Sequence, residues 1–560
     1  MSRRTFALLS TSDTDLLAAR TSDSSWRLGN PYRVGDLVEF AGGTDLVVFR
    51  ILGSRRKYED MVAPLLDLGV PVVVLGGEQL PDAELMGLST VPMGVATEAH
   101  AYLAQGGPEN LVQLHRFLAD TVLLDGEGFE APAVAPDWGL LDRPTAATGP
   151  RVAVLYYRAH HLAGNTAFVH TLCEAIETAG GVPVPIFTAS LRAVDPAMLE
   201  VLRTVDAMVV TVLAAGGSRP ATAQAGGDDG AWDVGELARL DLPVIQGLVL
   251  GTSRETWAEN DDGLSPLDVG NQVAIPEFDG RIISVPFSFK EVDDEGLTSY
   301  VPDPERAARV AGTAVAHARL RHTAPADRKI VVMLSAYPTK HSRIGNAVGL
   351  DTPASVVRLL AALQGQGYDI GPFDGPGSLP GVADLDGDAL VHALIEAGGQ
   401  DPDWLTAEQL SGNPVRIPAA EYRAFFDTLP AELTDRMVEH WGPPPGELFV
   451  DPTDDCIVFA ALRAGNVVVM VQPPRGFGEN PIAIYHDPDL PPSHHYLAAY
   501  HWLRSSFGAH AVVHVGKHGN LEWLPGKNLG MSPSCGTDAA IGSLPLIYPF
   551  LVNDPGEGTQ

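Results

Sequence analysis

The sequence predicts an α/β protein made of several doubly wound, parallel-sheet domains, arranged as a head and a partial body. Short aliphatic runs alternate with helical patterns along the chain, which is typical of parallel sheets. A hydrophobic fraction of 45% over 560 residues supports several packed units, because single cores stop growing near about 250 residues. The clearest strand-like runs are 45–49, 71–75, 151–155, 207–211, 329–334 and 466–470.

Three interruptions rich in Pro, Gly or polar residues predict the domain limits. They lie at 126–150, near 322–328 and at 441–446. We therefore expect four consecutive parts. They are an N-terminal α/β head domain over 1–145, a second α/β domain over 151–325, a third over 328–440, and a C-terminal segment over 446–560.

Charge and cysteine content narrow the class of protein. A formal net charge of −33 argues against nucleic acid or an anionic membrane as the main partner, because both would be repelled. Three scattered cysteines, Cys173, Cys456 and Cys535, fit a reducing compartment better than a disulfide framework. No uninterrupted apolar run reaches the roughly 18 residues of a membrane helix. We expect a cytoplasmic protein with no membrane span.

The segment 514–527 has the composition of a metal site. His514 is predicted to close a buried strand over 511–515, and His518 and Glu522 to lie in the loop beyond it. Open α/β sheets bind ligands beyond the carboxyl ends of their strands. Imidazole and carboxylate together suit divalent zinc, cobalt or nickel. His501 and His510, in or beside a helix predicted over 496–507, are expected to serve ordinary core packing instead.

Two strand-to-loop junctions resemble each other. The strand from Val152 leads into a loop with Arg158, and the strand from Val331 leads into a loop with Lys340 and Arg343. These cations are candidates for pairing with carboxylates or phosphates of a ligand, although basic residues on a solvated surface would give the same pattern. No phosphate-binding loop of the Walker type occurs. If the reaction uses ATP, we expect another subunit to hold it.

Several long motifs, in one order, carry a resemblance to a known family. The chain from 151 to 560 resembles the large subunit of the class I metal chelatases, which include the CobN-type cobaltochelatase subunit and the H subunit of magnesium chelatase. The residues before about 145 carry no such motif. The motifs are 157–165, 335–346, 472–478, 514–527 and 547–558.

The resemblance implies an activity. It implies a ligase, the macrocycle- and metal-binding large subunit that inserts cobalt(II) into hydrogenobyrinic acid a,c-diamide in cobalamin biosynthesis, at the expense of ATP. Cobalt(II) would be the substrate metal, and ATP with magnesium would be held by an AAA+ ATPase subunit that works with an adaptor subunit. Trp523-Leu524 and Tyr548-Pro549 resemble the cobalt branch. Members of the family are commonly longer, so Gln560 is expected to mark a C-terminal truncation, and 446–560 to be an incomplete chelatase core.

The resemblance also implies roles for individual residues. His514, His518 and Glu522 would bind the entering ion, and Glu522 or His518 would also accept a pyrrole proton. Lys517 departs from the small residue that many members have there, and it places a positive charge beside the predicted metal site. The residues expected to bind the macrocycle are Arg158, His161, Lys340, His341, Arg343, Arg475, Lys517 and Lys527.

The sequence alone leaves three other functions open. A non-catalytic fragment could hold a tetrapyrrole or a metal without inserting one into the other. The large subunit of a magnesium-protoporphyrin chelatase would share the same motifs. A stand-alone metallohydrolase could use His514, His518 and Glu522 without any ATPase partner.

Overall fold

The structure is a computed structural model with mixed α/β architecture, and it confirms the predicted fold class. Contacts divide the chain into two compact units, one of 1–257 with 265–308 and one of 258–264 with 309–560. The residues that the structure describes are 4–52, 55–144, 147–192, 194–212, 215–216, 234–336, 344–345, 349–398, 405–476, 487–516 and 519–549.

The strands fall into four sheets, three of them dominated by parallel pairs. In chain order the strands are β1 Phe6–Ser10, β2 Trp26–Gly29, β3 Leu46–Ile51, β4 Val72–Gly76, β5 Trp138–Leu140, β6 Arg151–Tyr157, β7 Val182–Thr188, β8 Ala207–Val210, β9 Val244–Leu250, β10 Ile282–Val292, β11 Thr298–Pro302, β12 Ile330–Leu334, β13 Arg416–Pro418, β14 Val450–Asp451, β15 Cys456–Val458, β16 Ala461–Ala464, β17 Val467–Val471, β18 Ala511–Val515 and β19 Leu546–Ile547.

Helices connect these strands, and among the described residues none is long and apolar enough to cross a membrane. In chain order they are α1 Asp13–Thr21, α2 Leu37–Ala41, α3 Arg55–Leu66, α4 Ala83–Met86, α5 Met93–Gln105, α6 Pro108–Val122, α7 Arg158–Leu162, α8 Ala167–Thr178, α9 Pro196–Leu202, α10 Arg254–Glu259, α11 Pro266–Asp268, α12 Ile275–Phe278, α13 Pro304–His322, α14 Thr352–Gly365, α15 Gly387–Glu396, α16 Ala407–Gly412, α17 Ala419–Phe426, α18 Ala431–Trp441, α19 His494–Trp502 and α20 Gly536–Ile541.

The first unit contains two sheets. The first has the order β2-β1-β3-β4 with parallel pairs throughout, the arrangement of a doubly wound fold. The second has the order β11-β10-β9-β8-β6-β7-β5, and its edge strands β11 and β5 run antiparallel to their neighbours. Strand β5 lies within the interruption predicted over 126–150, so part of that linker belongs to the second sheet.

The second unit is built on a five-stranded sheet of order β16-β17-β12-β18-β19, beside a small antiparallel sheet of order β13-β15-β14. Strand β12 is paired in parallel with β17 on one side and with β18 on the other. Strand β12 falls in the segment 328–440, and β17 and β18 fall in 446–560. One sheet therefore contains strands from both sides of the predicted boundary at 441–446.

A buried ion pair stands at the carboxyl end of the first sheet. Arg50, in β3, donates from Nη1 to Asp15 Oδ1 over 2.7 Å, and both side chains are less than 10% exposed. Ser10 donates to the other carboxylate oxygen, and Arg50 also donates to the backbone oxygens of Gly76 and Leu103. The two buried charges are thus held by each other, by one hydroxyl group and by backbone oxygens. Losing one partner would therefore leave the other charge buried without compensation.

We expect Arg50→Met to lower the free energy of unfolding of the first unit by about 3–5 kcal/mol, because it strands the Asp15 carboxylate in the core. Calorimetric or urea-induced unfolding measures the change. The matched control is Arg203→Gln, which removes an exposed pair with Glu200 and should cost less than about 1 kcal/mol. Equal losses in the two variants would show that the buried pair carries no special weight.

His495, in α19, is a core residue of the second unit. Its ring stacks on Phe449 with centroids 4.2 Å apart, and its Nε2 lies 3.0 Å from the backbone oxygen of Val458. Burial lowers the pKa of His495 to about 4. The folded chain therefore holds this imidazole neutral at pH values at which the unfolded chain would bind a proton.

Stability should therefore fall as the pH drops from about 6.5 towards 4, because in that window the unfolded state binds the proton and the folded state does not. We expect His495 alone to contribute roughly 2 kcal/mol to the loss at pH 5 relative to pH 8. Urea unfolding at both pH values, with the wild type and His495→Gln, measures this contribution. The variant should show a smaller pH dependence, whereas His440→Gln, at an exposed position on α18, should behave as the wild type.

Candidate functional site

The candidate site lies where three parallel strands of the second unit end together. Strands β17, β12 and β18 are adjacent, with Met333 in register with both Met470 and His514. The chain leaving β17 is held by Gln472, whose backbone N–H donates to Leu334 over 2.8 Å. The chain reaches β17 on one side of β12 and then crosses to β18 on the other side. The carboxyl end of β12 is therefore a topological switch point. Such an edge is where ligands of doubly wound sheets bind.

His514 is the buried centre of this edge. As predicted, it lies at the end of the strand 511–515, and it is 3% exposed. Its Nε2 lies 3.2 Å from the hydroxyl of Tyr500, which also accepts from Gln472 Nε2 at 2.9 Å and donates to Met333 Sδ at 3.3 Å. In the tautomer in which the Tyr500 proton is directed at Met333, the imidazole donates from Nε2–H. This tautomer leaves the lone pair of Nδ1 for another partner.

Burial sets the protonation of both groups. It lowers the pKa of His514 to about 4, so the imidazole is neutral near neutral pH, as a metal ligand must be. Burial also raises the pKa of Tyr500 well above its usual value, and the charge of Glu522 adds to that shift. Tyr500 therefore stays protonated and acts as a fixed hydrogen-bonding group. The charge on Glu522 thus acts on the same polar network as His514.

Two glycines make room around His514. A Cβ on Gly519 would lie 2.8 Å from His514 Nδ1, so any residue larger than glycine would crowd that nitrogen. A Cβ on Gly516 would clash with the hydroxyl of Ser335 at the end of the neighbouring strand. The glycines that interrupt the segment after β18 therefore permit close approach to the edge of the sheet.

Glu522 is an exposed carboxylate in a short 3-10 turn, Leu521–Trp523, beyond β18. The hydroxyl of Tyr548 donates to its Oε1 over 3.2 Å and also accepts from the backbone N–H of Gly519. The ring of Tyr548 meets the ring of His514 edge-on, with centroids 5.7 Å apart. Tyr548 thus links the buried imidazole to the exposed carboxylate.

A second buried tyrosine fixes the loop that carries Glu522. Tyr496, one helical turn before Tyr500 in α19, donates to Asn520 Oδ1 over 2.7 Å. Asn520 Nδ2 donates in turn to the backbone oxygen of Pro473 at 3.3 Å. Tyr496, Asn520 and Gln472 are all almost completely buried. The loop after β18 is therefore anchored to both α19 and the end of β17 by satisfied polar contacts.

Several predicted site residues lie outside the described residues, and they stay predictions. These residues are Lys340, His341, Arg343, Lys517 and His518. In the described parts of the chain, no group of three or more His, Cys, Asp or Glu side chains is placed to hold a metal ion. The predicted set of His514, His518 and Glu522 is described only for its first and last members.

Arg158 and His161 belong to the first unit and make local contacts there. Arg158 donates to the backbone oxygens of Pro136 and Ala135, at 2.8 and 3.1 Å, and so holds the preceding linker. The ring of His161 stacks on Phe187 with centroids 4.0 Å apart. These contacts give both residues a structural function, and their predicted part in macrocycle binding stays a prediction.

Arg475 and Lys527 are likewise occupied by backbone oxygens of the second unit. Arg475 is fully buried and donates to Asp487 and, at 3.2 Å, to Leu490. Lys527 Nζ donates to Ala258 and Asn260 at 2.9 and 2.7 Å. Both cations therefore stabilise the protein's own loops, which explains their place among the motifs without requiring contact with a substrate.

Sequence reasoning missed the buried polar partners of His514. It interpreted the helix that carries Tyr496 and Tyr500 as amphipathic core packing, but α19 is buried on almost every side. The available signal was the spacing of the two tyrosines, four residues apart and therefore on one face of the helix. Buried tyrosine hydroxyls need hydrogen-bond partners, so such a pair indicates a polar network nearby.

Comparisons with known proteins show the family of this chain. The model of the CobN/magnesium chelatase family matches residues 100–560. A curated relative, the aerobic cobaltochelatase subunit CobN of Pseudomonas aeruginosa, is 38% identical over 91% of this chain and 40% of its own length. The subunit of the same name from Sinorhizobium sp is 35% identical over 95% of this chain and 42% of its own length.

A solved structure is similar as well. The catalytic subunit of cobaltochelatase from Mycobacterium tuberculosis is 61% identical, with a TM-score of 0.85, over 99% of this chain and 46% of that chain. The chain thus spans about two fifths of the length of the curated relatives that it matches. Since the family model matches well over half of its residues, the chain belongs to the CobN/magnesium chelatase family.

Proposed function

We propose that this chain is part of the large subunit of a cobaltochelatase, which inserts cobalt(II) into a corrinoid precursor, hydrogenobyrinic acid a,c-diamide, in cobalamin biosynthesis. The observation that carries the proposal is the neutral, buried His514. Gly519 places no side chain against its Nδ1, and Tyr548 links the imidazole to the carboxylate of Glu522. The three similar proteins reported above are cobaltochelatase subunits, at 35–61% identity, and their names support cobalt over magnesium.

Metal insertion requires the ion to lose water and to find replacement ligands. In the proposal, His514, His518 and Glu522 bind the entering cobalt(II), which is the substrate metal. His514 supplies Nδ1 while its Nε2–H stays bound to Tyr500, the arrangement by which outer hydrogen bonds orient metal-binding histidines. Glu522 supplies the negative charge that a neutral imidazole lacks. The two described members thus contribute different properties to one site.

Insertion also requires two pyrrole N–H protons to leave. Glu522 is the described group best suited to accept one, because it is exposed and carries a carboxylate at the site. Tyr548, which donates to Glu522 Oε1, would hold that carboxylate in a fixed orientation. His518 is the second proposed acceptor, on the basis of the sequence alone.

The remaining parts of the proposal concern substrate and partners. The peripheral carboxylates of the macrocycle are proposed to bind Lys340, His341, Arg343 and Lys517. Macrocycle binding is also proposed for four residues that make the local contacts described above, namely Arg158, His161, Arg475 and Lys527. ATP and magnesium are proposed to be held by a separate AAA+ ATPase subunit that acts with an adaptor subunit. The absence of a Walker sequence in this chain supports that division.

The first experiment is an absorbance and fluorescence titration of the chain with hydrogenobyrinic acid a,c-diamide and with protoporphyrin IX. We expect saturable binding of the corrinoid and much weaker binding of the porphyrin. Glu522→Gln should retain corrinoid binding but reduce cobalt insertion with the partner subunits and ATP by about 100-fold or more, because it removes both a ligand and a proton acceptor.

The control is Glu439→Gln, the same substitution at an exposed position on α18, which should retain full activity. Preference for the porphyrin would support a magnesium chelatase instead. Corrinoid binding without insertion by the wild type would support a non-catalytic binding protein. Unchanged insertion by Glu522→Gln would contradict the function proposed for that carboxylate.

Tyr500→Phe tests the orientation of His514. We expect cobalt(II) affinity to fall by about 10–100-fold, because the variant removes the acceptor for Nε2–H and frees the ring to reorient. Titration monitored by the visible absorption of bound cobalt(II) measures the change. Corrinoid affinity should stay within about twofold of the wild type, since Tyr500 is completely buried.

The matched control is Tyr422→Phe. Tyr422 is also fully buried, and its hydroxyl lies 2.9 Å from His494 Nδ1, away from the candidate site. Each variant removes one buried tyrosine–histidine hydrogen bond and should lose about 1–3 kcal/mol of stability. Tyr500→Phe should lose more than Tyr422→Phe, because the Tyr500 hydroxyl also contacts Gln472 and Met333. Equal cobalt affinities in the two variants would sink the proposed orienting effect of Tyr500.

A further inference from the structure

One cavity of the second unit has basic and hydroxyl-bearing side chains in a wall that is otherwise apolar. Its volume is about 230 Å³, and it lies between the last turns of α13 and the segments around 504–510 and 543–545. Arg319, Arg504 and His510 contribute to its wall, together with the hydroxyl-bearing Ser543. No carboxylate lines it among the described residues. The charged residues that line it are thus all basic, in a chain with a net charge of −33.

Arg504, in the wall of this cavity, has one guanidinium nitrogen that no acceptor in the described residues contacts. Its Nε and Nη2 donate to the backbone oxygens of Tyr500 and Ala539, at 3.4 and 3.0 Å. Within the described parts of the chain no acceptor is bonded to its Nη1, which lies over Gly542, immediately before Ser543. A Cβ on Gly542 would clash with that nitrogen, so the glycine lets the guanidinium reach this position.

The local charge is also unbalanced. Arg309 Nη1 would lie 3.1 Å from a Cβ on Gly542, so two guanidinium groups converge over this residue. The carboxylate of Asp538 accepts from Arg309 at 2.8 Å, yet Arg309 Nε is buried with no partner among the described residues. Burial and the charge of Arg309 lower the pKa of Arg504 to about 10. One carboxylate thus faces two partly buried cations.

His510 adds a neutral donor. Its Nδ1 accepts from the backbone N–H of Lys329 at 3.1 Å, so in the neutral ring the proton is on Nε2. Burial lowers the pKa of His510, and the charges of Lys329, Arg319 and Arg328 lower it further. The cavity therefore offers N–H and O–H donors beside fixed positive charge, the combination that binds oxyanions.

Cations at the end of α13 could serve only to offset the partial negative charge of its last carbonyl groups. That explanation covers Arg319, but Arg504 and His510 belong to other elements. The cavity is also separate from the candidate metal site, because His510 precedes β18 and His514 lies near its end, roughly 13 Å along a strand. A volume of about 230 Å³ is below that of typical drug-sized pockets.

We propose that this cavity binds a small oxyanion, a phosphate or carboxylate group, through Arg504, Arg319 and the Nε2–H of His510. The anion would add negative charge beside Arg309 and Arg504, which share the single carboxylate of Asp538, and it would join α13 to the segment before β18. The proposal does not depend on the cobaltochelatase function.

The test is isothermal titration of the 560-residue chain with inorganic phosphate in one arm and acetate in the other, at constant ionic strength balanced with chloride. We expect saturable binding at one site in at least one arm. Arg504→Gln and Arg319→Gln should each weaken it by about tenfold or more, since each removes a charge-assisted hydrogen bond. Arg321→Gln, an exposed change two residues from Arg319, should stay within twofold of the wild type.

Arg504 also packs over the ring of Phe425, so its variant is expected to lose stability. Arg319→Gln, at an exposed position, carries the test if Arg504→Gln does not fold. Binding of phosphate alone, of acetate alone, or of both would support the site and identify its chemistry. No saturable binding in either arm, or equal binding by Arg319→Gln and Arg321→Gln, would overturn it.

Discussion

The parallel pairing of β12 with both β17 and β18 decides where every described group of the candidate site lies. Parallel strands end at the same edge, so this pairing brings Gln472 and His514 together although 42 residues separate them in the chain. The central strand is Ile330–Leu334, completely buried except for a slight exposure of Ile330. Since a strand buried on both faces cannot slip in register without exposing its apolar side chains, the register is firmly set. The position of the polar network follows from the apolar core below it.

Within that frame, hydroxyl groups determine the state of His514. A buried imidazole without partners could rotate or exchange its tautomer, and a carboxylate beside it would favour the charged form. Tyr500 avoids both outcomes, because it is neutral and is itself held by Gln472 and Met333. The charged member, Glu522, is kept at the surface and bound by Tyr548. The site therefore combines a neutral, fixed nitrogen with a charged oxygen that water can reach.

The sequence was sufficient for the fold class and for the strand that ends near His514, because runs of buried β-branched residues have few other uses. It also placed Glu522 in the loop beyond that strand. It was not sufficient for Tyr500, whose importance depends on a partner 14 residues away on a different element. Nor could it show that Arg475 is buried and bound to backbone oxygens, since an arginine beside glycines also fits a ligand-binding loop. Long-range partners of polar residues are set by tertiary packing, which no local pattern records.

The separation of charge within the site has a physical consequence for a dication. An ion that leaves water loses several kcal/mol of solvation for each unit of charge that is not compensated. A neutral imidazole such as that of His514 can replace a water ligand but contributes no charge, so on its own it would not offset the lost solvation free energy. In the proposed function, Glu522 would compensate part of the charge, and because it is exposed it need not be desolvated before the ion arrives. A buried carboxylate in its place would instead take up a proton in the absence of metal, since burial raises carboxyl pKa values. An exposed carboxylate beside a buried neutral imidazole is thus suited to an ion that must arrive and then leave, and less suited to one that is held permanently.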